Sequence, residues 1–191
     1  MRIAVYGGSF NPPHVGHAMV ASWVRWTGQA DAVWLVPVYR HAFEDRHGKV
    51  LAPFEDRLGW CAALADELGE GVDVCDVERH LPSPSFTVDT LLHLATAHPG
   101  HTFRLVVGAD VLPQVGAWRR WDEIAARFAP IVVGRQGYPS PDGAPSVDFP
   151  AVSSSDVRHR LQEGRSVEHL LTVGVRGLLS TERARTAWSD A

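Results

Sequence analysis

Ile3-Ala4-Val5-Tyr6-Gly7-Gly8-Ser9-Phe10-Asn11-Pro12-Pro13-His14-Val15-Gly16-His17 is the stretch on which the fold turns. Its apolar opening, Ile3 to Val5, reads as a buried strand, and Ala18 to Trp26 behind it reads as a helix. Glycines at a strand end, here Gly7 and Gly8, let a ligand lie against bare backbone, while a helix start offers unpaired N–H groups to an anion. Strand, loop and helix together form a phosphate cradle. His14 and His17 stand three residues apart, on one face of a starting helical turn, where both imidazoles can donate to phosphate oxygens.

Outward from this stretch, short apolar runs alternate with helical patterns. Ala32 to Val36 is a second strand candidate, stopped by Pro37; Val72 to Val77 alternates like a third; Thr102 to Val107 and Pro130 to Val133 are a fourth and fifth. Pro53 opens a helix in which Phe54, Leu58, Cys61, Ala62, Ala65 and Leu68 recur at three- and four-residue steps before Gly69, and Val88, Leu91, Leu92 and Ala95 mark another. This alternation predicts an α/β fold, a doubly wound and mostly parallel sheet with helices on both faces. Tyr39 to Ala52 and Tyr138 to Pro145 read as loops. Ser153-Ser154-Ser155-Asp156 reads as a helix cap ahead of Val157 and Leu161, and Leu170, Leu171, Val175, Leu178 and Leu179 suggest a further short helix or two before a polar, fraying end from Ser180. A single domain over residues 1–191 is expected, with a small helical C-terminal part from about residue 153.

A formal charge of −4 speaks against a nucleic-acid surface, because binders of the phosphate backbone usually carry a basic excess. Cys61 and Cys75 fall in a helix and a strand, as core thiols of a reducing compartment. The first apolar run ends at Gly7 and no run reaches the length of a membrane span, so a cytoplasmic protein without a membrane partner is expected.

In open parallel sheets, ligands bind at the carboxyl ends of the strands, where the strand order reverses. The first strand delivers Gly7, Gly8, His14 and His17 there, the fourth Gly108 and Asp110, the fifth Arg135, and the serine-capped helix adds Arg158. Their convergence would make a polyphosphate site, with Asp110 placed to accept from a ribose hydroxyl or assist a metal. Each feature alone has a plainer account: turn glycines, a serine cap, an aspartate cap, an anchoring Trp118. His14 and His17 could also pair on a metal, but no third ligand lies at a telling spacing. Only the order of these features along one chain favours the site.

That order resembles the nucleotidylyltransferases with an HxGH signature. GGSFNPPHVGH is similar to their G-[ST]-F-[DN]-P-x-H-x-G-H motif, and Val152-Ser153-Ser154-Ser155-Asp156-Val157-Arg158 to their late I-S-S-T-x-I-R motif. Pro84-Ser85-Phe86-Thr87-Val88-Asp89-Thr90-Leu91 and Val107-Gly108-Ala109-Asp110 with Trp118 resemble segments of the nicotinate mononucleotide adenylyltransferases within that superfamily. The resemblance implies a Rossmann-like fold and a transfer of the adenylyl group of ATP, as substrate, to a pyridine mononucleotide. Mg²⁺ would enter bound through the phosphates, with no metal held by the protein alone.

By the same resemblance His14, His17 and Arg158 are catalytic. Gly7, Gly8, Ser9, Phe10, Gly16, Gly108, Asp110, Arg135, Ser153, Ser154 and Ser155 join them around ATP. Arg40, His41, Ser85, Phe86, Thr87 and Trp118 fall to the acceptor, with Trp118 stacking on the pyridine. Where the family carries a P-P-H-K-type segment, this chain reads Val38-Tyr39-Arg40-His41-Ala42-Phe43, and either His41 or His47-Gly48-Lys49 stands in its place. Asn11 and Ser155 stand where aspartate and threonine are common. Nicotinamide mononucleotide or phosphopantetheine as acceptor, and a nucleotide-binding module without turnover, are the competing readings; a homo-oligomer is compatible with all of them.

Overall fold

The computed structural model describes residues 1–40, 50–138 and 149–179. Within them lie five strands, β1 (Arg2–Gly8), β2 (Ala32–Pro37), β3 (Val72–Val74), β4 (Thr102–Gly108) and β5 (Ile131–Val133). They form one sheet in the order β3-β2-β1-β4-β5. Every pairing is parallel, with Ile3 opposite both Ala32 and Phe103, and Gly108 opposite Val133. The helices are α1 (Val15–Trp26), α2 (Phe54–Leu68), α3 (Thr87–Ala97), α4 (Trp121–Phe128), α5 (Ser154–Gln162) and α6 (Val173–Leu179). Short 3₁₀ turns at Val77–His80 and Leu112–Ala117 follow β3 and β4.

Alternation along β1 sends its side chains to two cores. Ala4 packs with Val33, Leu35 and Val106 beneath α1, α2, α5 and α6, through Val24, Leu64, Val157 and Val175. Ile3 and Val5 face the other way, joining Ala32, Leu105 and Val107 beneath α3 and α4, through Leu91, Leu94 and Ile124. The doubly wound arrangement read from the alternation is therefore observed. The chain winds outward from β1 to β3, returns, and winds the other way from β4 to β5, so the order reverses between β1 and β4. Gly8 and Gly108 end the two strands at this crevice, where the topology predicts a ligand.

Three expectations need correction. The first helix begins at Val15 rather than Ala18, because the His17 ring stands at its third position and accepts the His14 backbone N–H at 3.0 Å. A glutamate usually fills that place in a capping box. The third strand stops at Val74, not Val77: Val77 instead turns into the lower core and carries Glu78 inward with it. Cys75 therefore lies just beyond the strand, and burial raises its thiol pKa, as it does for Cys61 in α2. The further short helix or two expected at the late end is met among the described residues by α6, whose start is held by the Glu67 carboxylate accepting the Gly174 N–H at 2.7 Å.

Candidate active site

The loop from Ser9 to His14 leaves β1 through a constrained backbone. Phe10 has φ of 45°, a left-handed value that a non-glycine residue holds at a cost of about 1–3 kcal/mol. Packing offsets the cost. The Phe10 ring is 1% exposed, sits edge-on to Tyr6 at 5.6 Å and lies 4.9 Å from the His17 ring. Phe10 is thus a plug beneath the histidines rather than a surface for ligand. The two loop glycines also separate in role: a side chain on Gly7 would meet open space, whereas one on Gly8 would press on the Phe10 ring at 3.3 Å. Gly16 is needed for a third reason, since a Cβ there would lie 2.9 Å from Nδ1 of His14.

The two imidazoles lie 3.9 Å apart between centroids, tilted by 39° to each other. Because His17 Nδ1 accepts from the His14 amide, the neutral His17 ring carries its hydrogen on Nε2, leaving that N–H as its donor. His14 is 7% exposed, and its Nδ1 is buried without a hydrogen-bond partner among the described residues. Burial first, and the Arg135 charge second, lower its pKa from 6.5 to about 4. His14 therefore presents a neutral ring at pH 7. The sequence reading of free backbone donors at this helix start is revised: the Val15 N–H is taken by the Leu170 carbonyl at 2.9 Å, and the His14 N–H by His17.

A titration follows from that depressed value. The unfolded chain binds a proton at His14 below pH 6.5, whereas the folded chain does so only near pH 4. The stability this provides is complete above pH 6.5 and is lost as the pH falls to about 4, amounting to about 3 kcal/mol. Urea unfolding at pH 7.5 and 4 is expected to show wild type losing that much more than His14→Gln. Equal losses in the two proteins would show the His14 ring to be no less basic when folded.

The late helix reaches the early loop. Ser154 Oγ donates to the Pro12 carbonyl at 2.9 Å, and Arg158 Nη1 donates to the Asn11 carbonyl at 2.8 Å, across 142 and 147 residues of chain. Ser153 accepts the Asp156 N–H as a helix cap, and Ser155 Oγ accepts from Arg158 Nη2. Burial lowers the Arg158 pKa, yet its fork of five N–H groups retains donors beyond these two. Arg135 forms an ion pair with Asp110 and also donates to the Val152 carbonyl. Asp110 in turn folds back over Gly108, where any Cβ would collide with its carboxylate. The ends of β1, β4 and β5 and the start of α5 thus meet around one crevice.

Acceptor candidates gather on the opposite layer. Phe86 and Trp118 both pack against the lower core, and Arg119 covers the Phe86 ring at 4.9 Å while facing Asp89 at 3.7 Å. Trp118 stands edge-to-face with Trp121 at 5.8 Å. The Ser85 hydroxyl donates to the Glu78 carboxylate, whose other oxygen accepts from Thr90 at 2.6 Å, and Thr87 opens α3. Arg40 is exposed at the edge of the described chain, and His41 lies outside the described residues.

Sequence reasoning missed Glu78 and Arg57. Glu78 falls just past the strand read to Val77, and Arg57 is one charged position on the helix that Pro53 opens. Both are buried, at 8% and 1% exposure, and both bind the loops that border the crevice.

Residues 5–160 match the cytidylyltransferase-like family. A protein of Anaeromyxobacter sp. (strain K) named "probable nicotinate-nucleotide adenylyltransferase" is 50% identical over 89% of both chains. One of the same name from Exiguobacterium sibiricum is 32% identical over 94% of this chain and 96% of its own. In fold, the chain is similar to the Plasmodium falciparum nicotinic acid mononucleotide adenylyltransferase solved with NaAD, with a TM-score of 0.74 at 19% identity, over 93% of this chain and 94% of that one. The sequence pattern, the reversal point with its two histidines and these relatives agree: the chain belongs to the cytidylyltransferase-like family and, within it, to the nicotinate-nucleotide adenylyltransferases.

Proposed function

We propose that this protein transfers the adenylyl group of ATP to nicotinate mononucleotide, releasing pyrophosphate and forming nicotinate adenine dinucleotide for NAD biosynthesis. The observation that carries the reading is the closure of the two-histidine loop by α5, through Ser154 on Pro12 and Arg158 on Asn11, at the reversal point of the sheet. A phosphate oxygen of the mononucleotide attacks the α-phosphorus of ATP. The bond from that phosphorus to the bridging oxygen of the leaving pyrophosphate breaks, and no covalent enzyme intermediate is needed.

Two anions must be aligned against their repulsion, and charge must be steadied as the bond shifts. Alignment can supply about 7–11 kcal/mol of barrier reduction, a single preorganised donor about 3–4 kcal/mol. His17 Nε2–H, the neutral His14 ring and the remaining Arg158 donors are assigned to the triphosphate, with Arg135 and Asp110 at its border.

Magnesium prefers oxygen ligands. Two imidazoles and an Asp110 already paired with Arg135 make a poor cage for it, and among the described residues no three His, Cys, Asp or Glu side chains gather to hold a metal. Mg²⁺ would enter on the phosphates of ATP, where it would supply charge neutralisation for the leaving pyrophosphate. Among the described residues no helix is long and apolar enough to cross a membrane, and we assign the protein to the cytoplasm.

For the acceptor, the Ser85 hydroxyl is engaged by Glu78, so recognition of the nicotinate carboxylate falls to backbone N–H groups of the segment and to Thr87. Trp118 is assigned to the pyridine ring. Trp118→Ala is expected to raise the KM for the mononucleotide about 3- to 10-fold with little change in kcat, because a stack worth about 0.5–1.5 kcal/mol acts on ground and transition states alike. A change confined to the KM for ATP would place the tryptophan elsewhere.

The deciding experiment is pyrophosphate release with ATP and, separately, nicotinate mononucleotide, nicotinamide mononucleotide and phosphopantetheine. Release with the first alone, or far above the others, is expected. Faster release with either alternative would change the acceptor, and ATP binding without release from any would leave a binding module.

A further inference from the structure

Arg57, on the first turn of α2, is 1% exposed. Its Nε donates to the Ala52 carbonyl at 2.9 Å. Nη1 donates to Val38 at 2.7 Å and Ser9 at 3.1 Å, and Nη2 to Tyr39 at 3.4 Å. One planar group thus grips three pieces of backbone: the loop leaving β1, the chain leaving β2, and the chain entering α2. Asn11, fully buried, adds to the same knot, donating to the Val50 carbonyl at 2.8 Å and accepting the Ala52 N–H at 2.9 Å.

The Ser9 carbonyl is the informative contact. It precedes Phe10, whose ring supports His17 at 4.9 Å, and His17 in turn holds the His14 amide. A shift of Ser9 therefore passes through one rigid plug to both imidazoles. The fork geometry matters too, since a guanidinium can serve divergent carbonyls in one plane, and an ammonium of similar charge reaches fewer of them at once.

We propose that Arg57 is a positioning residue for adenylyl transfer, fixing the His14–His17 pair and the chain that borders the acceptor side in one mutual register through four backbone carbonyls. It touches no reacting atom. This inference rests on the reading of the two-histidine loop as the triphosphate site, and it assigns to α2 a part in the chemistry that no motif marks.

The test compares Arg57→Lys with wild type, alongside Arg57→Gln, which keeps an amide donor without a buried charge and so serves should the lysine variant not fold. Folded protein is verified by thermal melting, and the imidazole nitrogens of His17 are observed by ¹⁵N NMR. In wild type a single Nε2–H form of His17 is expected. In the variant, exchange between the two tautomers is expected, together with a kcat lowered about 10²-fold per folded molecule, as for an ångström-scale misplacement. A folded variant whose His17 keeps the wild-type nitrogen signature overturns the proposal, whatever its turnover. Absence of turnover in wild type would count instead against adenylyl transfer, and the NMR comparison would still decide the part played by Arg57.

Discussion

His17→Ala is expected to lower kcat by about 10²–10³-fold while leaving the protein folded. The size follows from what the ring does. Its Nδ1 is engaged by the His14 amide, so its one proton is directed from Nε2 with a fixed orientation, and a preorganised donor of this kind is worth about 3–4 kcal/mol in a transition state. The ring rests on Phe10 and against His14, at 4.9 and 3.9 Å, so little reorganisation precedes the reaction. Alanine also releases the His14 N–H, at a cost in stability of about 1 kcal/mol as one helix-capping bond is lost. Steady-state kinetics on folded variant is the measurement. A kcat within threefold of wild type would remove His17 from the chemistry and leave it a helix cap.

Asn11→Asp is expected to destabilise the fold by about 2–4 kcal/mol at pH 7, although aspartate is the residue the family resemblance leads one to expect here. The amide of Asn11 is used on both sides, donating to the Val50 carbonyl and accepting from the Ala52 N–H. A carboxylate keeps the second bond but turns the first into a fully buried negative charge facing a carbonyl oxygen. The new carboxyl should titrate above the usual carboxylate range. Its penalty is then full at neutral pH and shrinks as the pH falls, because the protonated form can again donate to Val50. Urea unfolding at pH 7 and pH 4.5 checks both size and sign, and a variant as stable as wild type at pH 7 would show that Val50 is not held by this amide.

How far the sequence could be read depends on where each signal lies. β1, β2 and β4 are apolar runs closed by Gly or Pro, and such punctuation is local, so they are legible residue by residue, whereas the order in which they pair is set by the fold. The two histidines and the serine cap are legible because a short spacing carries their geometry. Three things were not. Phe10 looks like a ligand contact in a motif, but its left-handed backbone and its burial under His17 exist only once the loop has closed. β3 alternates through Val77, yet the Glu78 carboxylate finds hydroxyls on Ser85 and Thr90, and that satisfaction outweighs three further residues of strand. Arg57 has no spacing to betray it, since its partners are main-chain carbonyls and any sequence can supply those. For Glu78 and Arg57, what stays hidden is a buried polar group whose partners are chosen by topology.

The Val15 amide, closing on the Leu170 carbonyl, orders events during synthesis. β1 and the histidine loop leave the ribosome ahead of Arg57, Ser154, Arg158 and Leu170, which hold that loop and the start of its helix and follow as much as 155 residues later, as the Val15 to Leu170 numbering gives. A nascent chain therefore carries the whole nucleotide motif long before it can set the two rings in place. Ribosome-bound chains halted ahead of Leu170 emerge with the motif written and the site unbuilt.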